Sequence, residues 1–385
     1  MEVETSMSGS TFGKQFKITT WGESHGKALG CVVDGCPAGL SLREADIQAY
    51  LDRRKPGQSK YTTSRKESDK VEILSGVFEG KTTGTPISLI IHNTNHISKD
   101  YDALAHVYRP GHADYTFSAK YGIRDHRGGG RSSGRETIGR VAGGAIASLI
   151  LKELNIELTT FSKSIGPISA PHESYDFDAI SNNPLYMPNL EYAKKAQEYL
   201  ESLIKNHDSC GGIVESRVTG LPVGLGEPVF NKLDSVLANA VMSIGAVKGV
   251  EFGAGFDVTE MLGSENNDIF SPENDELLNS KNEKNVKSQK TRKETNHSGG
   301  ILGGISDGHN LVLRAAIKPT PSIGKTQNTV TTKNEKTTLT IEGRHDPIIV
   351  PRAVVVVESM VAIPLVDLLL QNMGSRIEYL KKVYE

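Results

Sequence analysis

Strand-type and helix-type hydrophobic runs alternate along the chain, and together they predict a mixed fold of the α/β (α+β) class. Short apolar runs bounded by glycine, proline or polar residues predict strands at Phe16–Thr20, Cys31–Asp34, Val71–Leu74, Pro86–His92, Ile213–Thr219, Gly249–Gly253 and Leu311–Ile317. Longer runs predict helices over 41–54, Thr137–Leu154, Asn189–Lys205, Lys232–Ser243 and Ser359–Val383. The pattern leaves the order of the strands open.

Two of the predicted helices carry further local signals. Ser41-Leu-Arg-Glu44 has the spacing of a capping box, in which the serine accepts a backbone N–H and the glutamate reaches back. The helix that it opens is expected to end near Arg54, before Pro56-Gly57. In the second helix a run of small residues predicts close packing against a neighbour: Ala142, Gly143, Gly144, Ala145 and Ala147.

The most apolar segment, Ala353–Leu370, contains Glu358, Pro364 and Asp367, and a membrane span rarely carries two carboxylates. We therefore interpret the segment as a core element and expect no membrane association. The N-terminus, Met1 to Ser10, lacks the apolar stretch of a signal peptide, and residues 1–6 are expected to be an N-terminal extension. Three isolated cysteines form neither a disulfide framework nor a metal pair, which is typical of a reducing compartment and predicts a cytoplasmic location.

Residues 266–298 consist almost entirely of Asn, Lys, Glu, Ser, Asp and Thr. This composition cannot bury enough apolar surface to offset the entropy of ordering the chain, so it predicts a flexible polar loop. The loop is too long for a routine connection, and two interpretations stay open: a lid over a site, or a solvated insertion.

Composition mainly excludes classes of protein. The 385 residues are 37% hydrophobic and 23% charged, with a net charge of −2, which argues against a dedicated nucleic-acid binder. The length alone favours two domains. Glycine is enriched at 39 residues, which is typical of chains whose backbone makes tight turns or approaches a ligand closely.

Positive charge is nevertheless concentrated in three glycine-containing stretches: Arg53 to Lys66, Tyr108 to Asp114 and Arg124 to Thr137. The third stretch includes Arg-Gly-Gly-Gly-Arg-Ser-Ser and runs directly into a predicted helix. Exposed N–H groups, hydroxyls and a helix N-terminus favour anion binding, and planar arginines bind phosphate and carboxylate bidentately. This pattern fits a small polyanion better than a nucleic acid.

Two histidines lie in glycine contexts, His25 within Trp21-Gly-Glu-Ser-His-Gly26 and His112 within Arg109-Pro-Gly-His112. Neither has a partner at metal-ligand spacing, so no metal site is predicted. Imidazole is a natural proton donor or acceptor beside phosphate, with a turn residue as the alternative interpretation. The serine of the first motif does not occupy the centre of G-x-S-x-G, so a serine hydrolase is not supported.

Taken in order, these motifs resemble the chorismate synthase family over roughly Ser10 to Tyr384. The resemblance rests on Thr20-Trp-Gly-Glu-Ser-His-Gly26, Asp52-Arg-Arg-Lys-Pro-Gly57, Tyr61-Thr-Thr63, Arg109-Pro-Gly-His-Ala-Asp-Tyr115, Lys120-Tyr-Gly-Ile-Arg-Asp125, Arg127-Gly-Gly-Gly-Arg-Ser-Ser-Gly-Arg-Glu-Thr137, Asn206-His-Asp-Ser209, Gly299 to Gly308, Lys318-Pro-Thr320 and Gly343-Arg-His-Asp-Pro347. It implies a single catalytic domain over 7–385 with a β-α-β sandwich fold, assembled as a homotetramer. That implication overrides the two-domain expectation.

The resemblance also implies an activity, the anti-1,4-elimination of phosphate from 5-enolpyruvylshikimate 3-phosphate to give chorismate in the shikimate pathway of aromatic amino-acid biosynthesis. The implied cofactor is reduced FMN, which the reaction requires although it causes no net oxidation. NADPH is one candidate reductant, and an external reductant is the alternative. Two other hypotheses compete: a different FMN-dependent enzyme acting on a phosphate ester, and a non-enzymatic RNA-binding protein that uses Arg127 to Arg135.

The resemblance assigns roles residue by residue. The residues implied for FMN are Arg131, Ser132, Ser133, Gly245, Ala246, Gly303, Lys318, Pro319, Thr320, Pro321, Ser322 and Arg344. Those implied for the substrate's phosphate and carboxylates are Arg54, Lys60, Arg135, Arg344 and Arg352, of which Arg54 and Lys60 also match positions assigned to NADPH. His25 and His112 are implied as proton donors, one to the departing phosphate and one to the flavin, and Asp346 as the group that handles the flavin N5 proton.

Overall fold

Two antiparallel sheets of five strands each, with helices between them, organise the residues that the computed structural model describes, namely 9–57, 61, 68–93, 104–127, 129–272, 291–341 and 346–385. The strands are β1 Thr11–Phe12, β2 Lys17–Gly22, β3 Ala28–Asp34, β4 Val71–Ile73, β5 Val77–Phe78, β6 Lys81–Thr82, β7 Ile87–His92, β8 Glu157–Ile165, β9 Ile168–Ser169, β10 Gly212–Thr219, β11 Val247–Phe252, β12 Phe270–Pro272, β13 Thr291–Lys293, β14 Ile301–Leu302, β15 Ile305–Ser306, β16 Leu311–Ile317, β17 Gln327–Val330 and β18 Lys336–Leu339. The α-helices are α1 Glu44–Arg54, α2 Asp114–Tyr121, α3 Thr137–Glu153, α4 Leu190–Lys205, α5 Leu233–Met242, α6 Gly263–Asn266, α7 Val350–Asn372 and α8 Ile377–Tyr384.

The first sheet has the strand order β1-β2-β3-β7-β4 and presents one apolar face to the helices. Side chains alternate between the two faces of a strand, and in β7 the residues Ile87, Leu89 and Ile91 are fully buried while Ser88 and His92 point the other way. Helices α1 and α3 cover this apolar face.

The second sheet has the order β11-β16-β10-β8-β9 and packs on the opposite side of the helix layer, against α7 and α5. In β10, Val214 and Val218 are fully buried on that side. One contiguous hydrophobic core includes residues of both sheets and of the helices between them. The observed layers are therefore sheet, helices and sheet, which confirms the predicted fold class and the β-α-β sandwich.

The contact between α3 and α7 explains the small residues of α3. A Cβ atom added at Gly144 would lie 2.2 Å from the Cβ of Ser359, so the two helices approach closely only because no side chain stands there. Helix α7 is long and apolar enough to span a membrane, but most of it is buried here between α3, α5 and the second sheet. The interpretation of this segment as a core element is confirmed.

Burial also explains why the three cysteines are chemically inert. All three are buried and unpaired. Burial raises the pKa of Cys31 and Cys210 to about 12 and that of Cys36 to about 11, so these side chains stay as thiols at neutral pH.

Two boundary predictions are wrong. Helix α1 begins at Glu44 and its N-cap residue is Arg43, whose backbone N–H donates to Asp46 Oδ2 at 2.9 Å. Ser41 instead forms an isolated bridge with Lys81, so it is committed to extended structure. The C-terminal helix was predicted over 359–383, but α7 already begins at residue 350, and a turn containing Gly374 separates it from α8.

The prediction of a flexible loop over 266–298 is wrong for both of its flanks. Strand β12 pairs with β13, and the fully buried ammonium group of Lys293 lies 3.1 Å from an oxygen of Asp268 and 2.7 Å from an oxygen of Asp307. The loop prediction failed here because composition alone cannot show that these charged side chains pair with one another inside the protein. Residues 273–290, like residues 1–6, lie outside the described part of the chain.

Candidate active site

The glycine-rich stretch that precedes α3 forms two short 3₁₀ turns, Gly130–Ser132 and Gly134–Glu136, and these lie beside the end of β2. Arg131 makes this connection. Its Nη2 donates to the carbonyl oxygen and hydroxyl of Thr20 at 3.1 and 2.7 Å, and its Nη1 donates to the carbonyl of Gly22 at 3.3 Å. The hydroxyl of Ser132 donates to Gly129, and that of Ser133 accepts from the Arg135 backbone.

The turn after β2, which carries His25, is fixed by a residue that sequence reasoning missed. The side-chain amide of Asn93 donates to the carbonyls of Glu23 and Gly26 at 3.1 and 2.7 Å. Its Oδ1 accepts two hydrogen bonds from the guanidinium of Arg135, the shorter at 2.7 Å. Asn93 therefore couples the histidine turn to one of the predicted substrate-binding arginines.

Arg135 leads in turn to Arg54 through Asp69, a second residue that the motifs did not indicate. Oδ1 of Asp69 accepts a hydrogen bond from Arg135 Nη2 at 3.3 Å, and its Oδ2 lies 3.7 Å from Arg54 Nη2. Both Arg54 and Asp69 are almost completely buried, with 1% of each side chain exposed. Burial lowers the pKa of Arg54 to about 10, with the nearby charge of Asp69 acting in the opposite direction.

The guanidinium of Arg54 has an unusual environment. None of its three nitrogen atoms has a hydrogen-bond partner among the described residues. Its neighbour Arg352 donates from Nε to the Arg54 carbonyl at 3.1 Å and from Nη1 to Asp346 Oδ2 at 2.8 Å. Arg54, Arg135 and Arg352 thus surround the carboxylates of Asp69 and Asp346, so three cations face two anions among the described residues of this cluster.

His112 lies on the other side of the glycine-rich stretch. Its Nδ1 is 3.1 Å from Asp114 Oδ1, and Asp114 also pairs with Arg109 at 2.8 Å and Arg124 at 3.1 Å. Burial alone would raise the pKa of Asp114, but hydrogen bonds from Arg109 and His112 outweigh it and hold that pKa well below its usual range. The ionised carboxylate of Asp114 orients the imidazole, and Cε1 and Nε2 of the ring face Gly129, where an added Cβ atom would lie 2.7 and 3.2 Å from them.

The segment that begins at Lys318 contacts the His112 loop. Lys318 Nζ donates to the carbonyl of Gly111 at 2.5 Å, and its backbone N–H donates to Ala246 at 2.9 Å. Ala246 itself has a left-handed backbone, with φ of +79°. Burial and the neighbouring charge of Lys248 lower the pKa of Lys318, which faces no carboxylate among the described residues.

The turn Asn206–Cys210 closes the arrangement. The hydroxyl of Ser209 donates to the Thr320 carbonyl at 2.7 Å, and the N–H of Cys210 donates to the Pro347 carbonyl at 3.0 Å, next to Asp346. Contacts run in a circuit that Arg131 closes by donating to the carbonyl of Gly22, beside the turn 23–26. We name this circuit the contact ring and define it by its members: the turn 23–26, Asn93, Arg135, Asp69, Arg54, Arg352, Asp346, Ser209–Cys210, Lys318–Pro321, Gly111–His112, Gly129 and Arg131.

Most of the predicted site residues lie in or beside the contact ring. Gly245 and Ser322 adjoin Ala246 and Pro321, and Pro319 is exposed within the same segment. Gly303 is an exception, because its hairpin β14–β15 packs on Lys232, which precedes α5. Ala246 follows the other end of α5, and the helix is roughly 15 Å long at 1.5 Å per residue. Its neighbour Leu302 lines an open cavity of about 580 Å³ that contains none of the predicted site residues. Lys60 and Arg344 lie outside the described residues.

Comparison with known proteins connects this geometry to a family. The family model described as chorismate synthase matches residues 16–370. The chorismate synthase of Lachnoclostridium phytofermentans is 61% identical over 98% of this chain and all of its own length, and that of Methanosarcina barkeri is 52% identical over 95% of this chain and 97% of its own. A solved crystal structure of chorismate synthase superposes with a TM-score of 0.73 at 30% identity, covering 97% of both chains. The chain belongs to the chorismate synthase family.

Proposed function

We propose that the contact ring is where this chain carries out the reaction of its family, the anti-1,4-elimination of phosphate from 5-enolpyruvylshikimate 3-phosphate to give chorismate. The reaction breaks a C–O bond to phosphate and a C–H bond, forms a C=C bond and releases inorganic phosphate. The substrate carries one phosphate and two carboxylates, so its site requires an excess of cations. The observation that carries the proposal is the buried guanidinium of Arg54, whose three nitrogen atoms have no acceptor among the described residues.

A ligand explains this guanidinium better than a structural role does. A buried donor that makes no hydrogen bond costs about 1–3 kcal/mol, and a charged donor costs more. A phosphate or carboxylate oxygen would satisfy the Arg54 donors and would also bind the neighbouring guanidinium groups of Arg135 and Arg352. We assign these three arginines to the substrate's anionic groups.

The opposite side of the contact ring fits the phosphate-bearing flavin of the family. Lys318 is a half-buried cation that faces a carbonyl, and the buried hydroxyl of Thr320 has no hydrogen-bond partner among the described residues. At Gly245 there is open space where a side chain would stand, since no atom lies within 4 Å of an added Cβ. We propose that residues 318–322 hold FMN together with Gly245, Ala246, Ser132 and Ser133. When bound, the reduced flavin supplies an electron that it regains as the C–H bond breaks.

We propose proton-transfer roles for three side chains. His112 is oriented by the carboxylate of Asp114, which lies 3.1 Å from its Nδ1, and we propose it as one proton donor. His25, on the turn that Asn93 fixes, is proposed as the second donor. Asp346, whose Oδ2 accepts a hydrogen bond from Arg352, is proposed to take the proton of flavin N5.

Family membership supports three further proposals: a homotetramer, a cytoplasmic location and NADPH as one candidate reductant, with Arg54 among its contacts. Arg131 is proposed to act on the flavin through its backbone, because its guanidinium is already bonded to β2.

An anaerobic mixing experiment tests the proposal. Protein with reduced FMN is mixed with the substrate, and chorismate, inorganic phosphate and flavin absorbance are followed together. We expect chorismate and phosphate in a one-to-one ratio, with a transient absorbance change of the flavin. Another FMN-dependent enzyme would leave the substrate intact, and an RNA-binding protein would do so as well.

A further inference from the structure

Asp69 lies between two of the arginines that the proposed function assigns to the substrate, although no sequence motif includes it. Its Oδ1 accepts a hydrogen bond from Arg135 Nη2 at 3.3 Å, and its Oδ2 lies 3.7 Å from Arg54 Nη2. The carboxylate is 1% exposed, so solvent does not screen either contact appreciably. One buried negative charge is therefore shared by two guanidinium groups.

The backbone of Asp69 is held in place by helix α1. Gln48 donates from Nε2 to the Asp69 carbonyl at 3.3 Å, and its Oε1 accepts the N–H of Val71 at 3.1 Å. Asp69 itself has a φ of +43°, in the left-handed region that few residues other than glycine and asparagine or aspartate adopt. The backbone that carries this carboxylate is thus fixed relative to Arg54, which is the last residue of α1.

The two contacts of this carboxylate differ in kind. At 3.3 Å the contact with Arg135 is a hydrogen bond, whereas 3.7 Å to Arg54 is too long for one. Asp69 compensates the charge of Arg54 without accepting a hydrogen bond from it, and no other described residue accepts one from the Arg54 guanidinium, so its donors can bind a ligand.

We propose that Asp69 is a positioning residue that sets the affinity of the Arg54–Arg135 pair for oxyanions. It holds the two guanidinium groups at one spacing and offsets part of their charge. The pair then binds a phosphate or carboxylate of the substrate, and the site still releases the inorganic phosphate that every turnover produces. This inference rests on the proposed binding roles of Arg54 and Arg135.

Asp69→Asn tests the inference, because asparagine preserves the shape and the acceptor for Arg135 but removes the charge. The probes are inorganic phosphate for the phosphate group and shikimate for the carboxylate, and each is titrated as an inhibitor that competes with the substrate in chorismate formation. Loss of a negative charge beside both cations should tighten the inhibition constant of at least one probe by about fivefold or more. The probe that responds identifies the group that the pair binds.

The control is Asp34→Asn, which removes the same charge from a half-exposed pair with Lys17. We expect it to leave both inhibition constants within twofold of the parent. A merely structural carboxylate at position 69 would lower the melting temperature and the turnover together without changing either inhibition constant, and that result overturns the inference.

Asp69→Asn alone could fail to fold, since removing one partner of a buried ion pair is strongly destabilising. The substitution is therefore also tested in a variant that already carries Arg54→Gln. Arg54→Gln removes the other partner, so Asp69→Asn in that background leaves no unpaired charge on Arg54. We expect the double variant to bind one of the probes at least about threefold more tightly than Arg54→Gln alone, because the negative charge of Asp69 beside Arg135 is removed. Equal inhibition constants contradict the inference.

The Arg54→Gln variant also separates the two proposals. If it alters neither inhibition constant, the binding role of Arg54 in the proposed function fails. If it weakens a probe while Asp69→Asn changes nothing, only the inference about Asp69 fails.

Discussion

Replacing Gly129 by alanine tests whether the position of His112 matters for turnover. A Cβ atom at Gly129 would lie 2.7 Å from Cε1 and 3.2 Å from Nε2 of the imidazole. Carbon atoms in contact are normally about 3.5–4.0 Å apart, so the ring must retreat by about 1 Å. The displacement also disturbs the contact of Nδ1 with Asp114, whose oxygen lies 3.1 Å away.

The expected magnitude has two parts. Misplacing a catalytic group by about 1 Å costs about a hundredfold in rate, so turnover should fall by roughly that factor. Gly129 has a φ of +89°, and alanine in the left-handed region costs about 1–2 kcal/mol. A less flexible unfolded chain returns about 0.4–1 kcal/mol of this, so the free energy of unfolding should fall by only about 1 kcal/mol.

Gly122→Ala is the matched control. Gly122 ends α2 with a φ of +71°, and no atom lies within 4 Å of the Cβ that alanine would add. Both variants therefore carry the backbone strain, and Gly129→Ala alone carries the clash. Chorismate formation is measured anaerobically with reduced FMN, and thermal unfolding is measured on the same samples. The reasoning is refuted if both variants fold and their turnover differs by less than threefold.

Three other substitutions have defined expectations. Asp367→Ala should lower the free energy of unfolding in urea by about 3 kcal/mol or more without altering the KM of the folded enzyme, because this buried carboxylate accepts three backbone N–H bonds; a loss below 1 kcal/mol would contradict it. Lys293→Met should lower the free energy of unfolding by about 3 kcal/mol at neutral pH. The pKa of Asp307 is about 2 despite burial, owing to His309 and Lys293, so its stabilisation is present above pH 4 and lost toward pH 2. The penalty of Lys293→Met should shrink over that range, and a pH-independent penalty would count against the network. Asp346→Asn should bind both ligands and turn over about a hundredfold more slowly, and turnover within threefold of the parent would remove Asp346 from the proton chemistry.

Regular elements could be predicted from the sequence because their signals repeat along several residues. Strand β16 coincides with its prediction, and α3 differs by one residue at its end. The C-terminal prediction failed because apolar composition continues through α7 in both directions, while the break before α8 depends on the short turn that contains Gly374.

Only those site residues that lie within recognisable motifs could be predicted from the sequence. Arg54, Arg135 and His112 lie in cationic, glycine-containing stretches, and those stretches do meet in the fold. Asp69 and Asn93 lie in no such stretch, and each stands beside a strand among other polar residues from which the sequence does not distinguish it. Their roles arise from partners distant in sequence, Asn93 joining residues 23 and 135, and only tertiary structure brings those partners together.

The affinity of the substrate for an Arg54→Gln variant tests the central claim most directly. Calorimetric titration with 5-enolpyruvylshikimate 3-phosphate is compared with the parent and with Arg43→Gln, which removes an exposed arginine of the same helix region. Hydrogen bonds to a charged group contribute about 1.5–3 kcal/mol, so the dissociation constant of Arg54→Gln should rise by about tenfold to a hundredfold. Arg43→Gln should stay within twofold of the parent. Equal affinities for a folded Arg54→Gln variant and the parent would show that the substrate binds elsewhere.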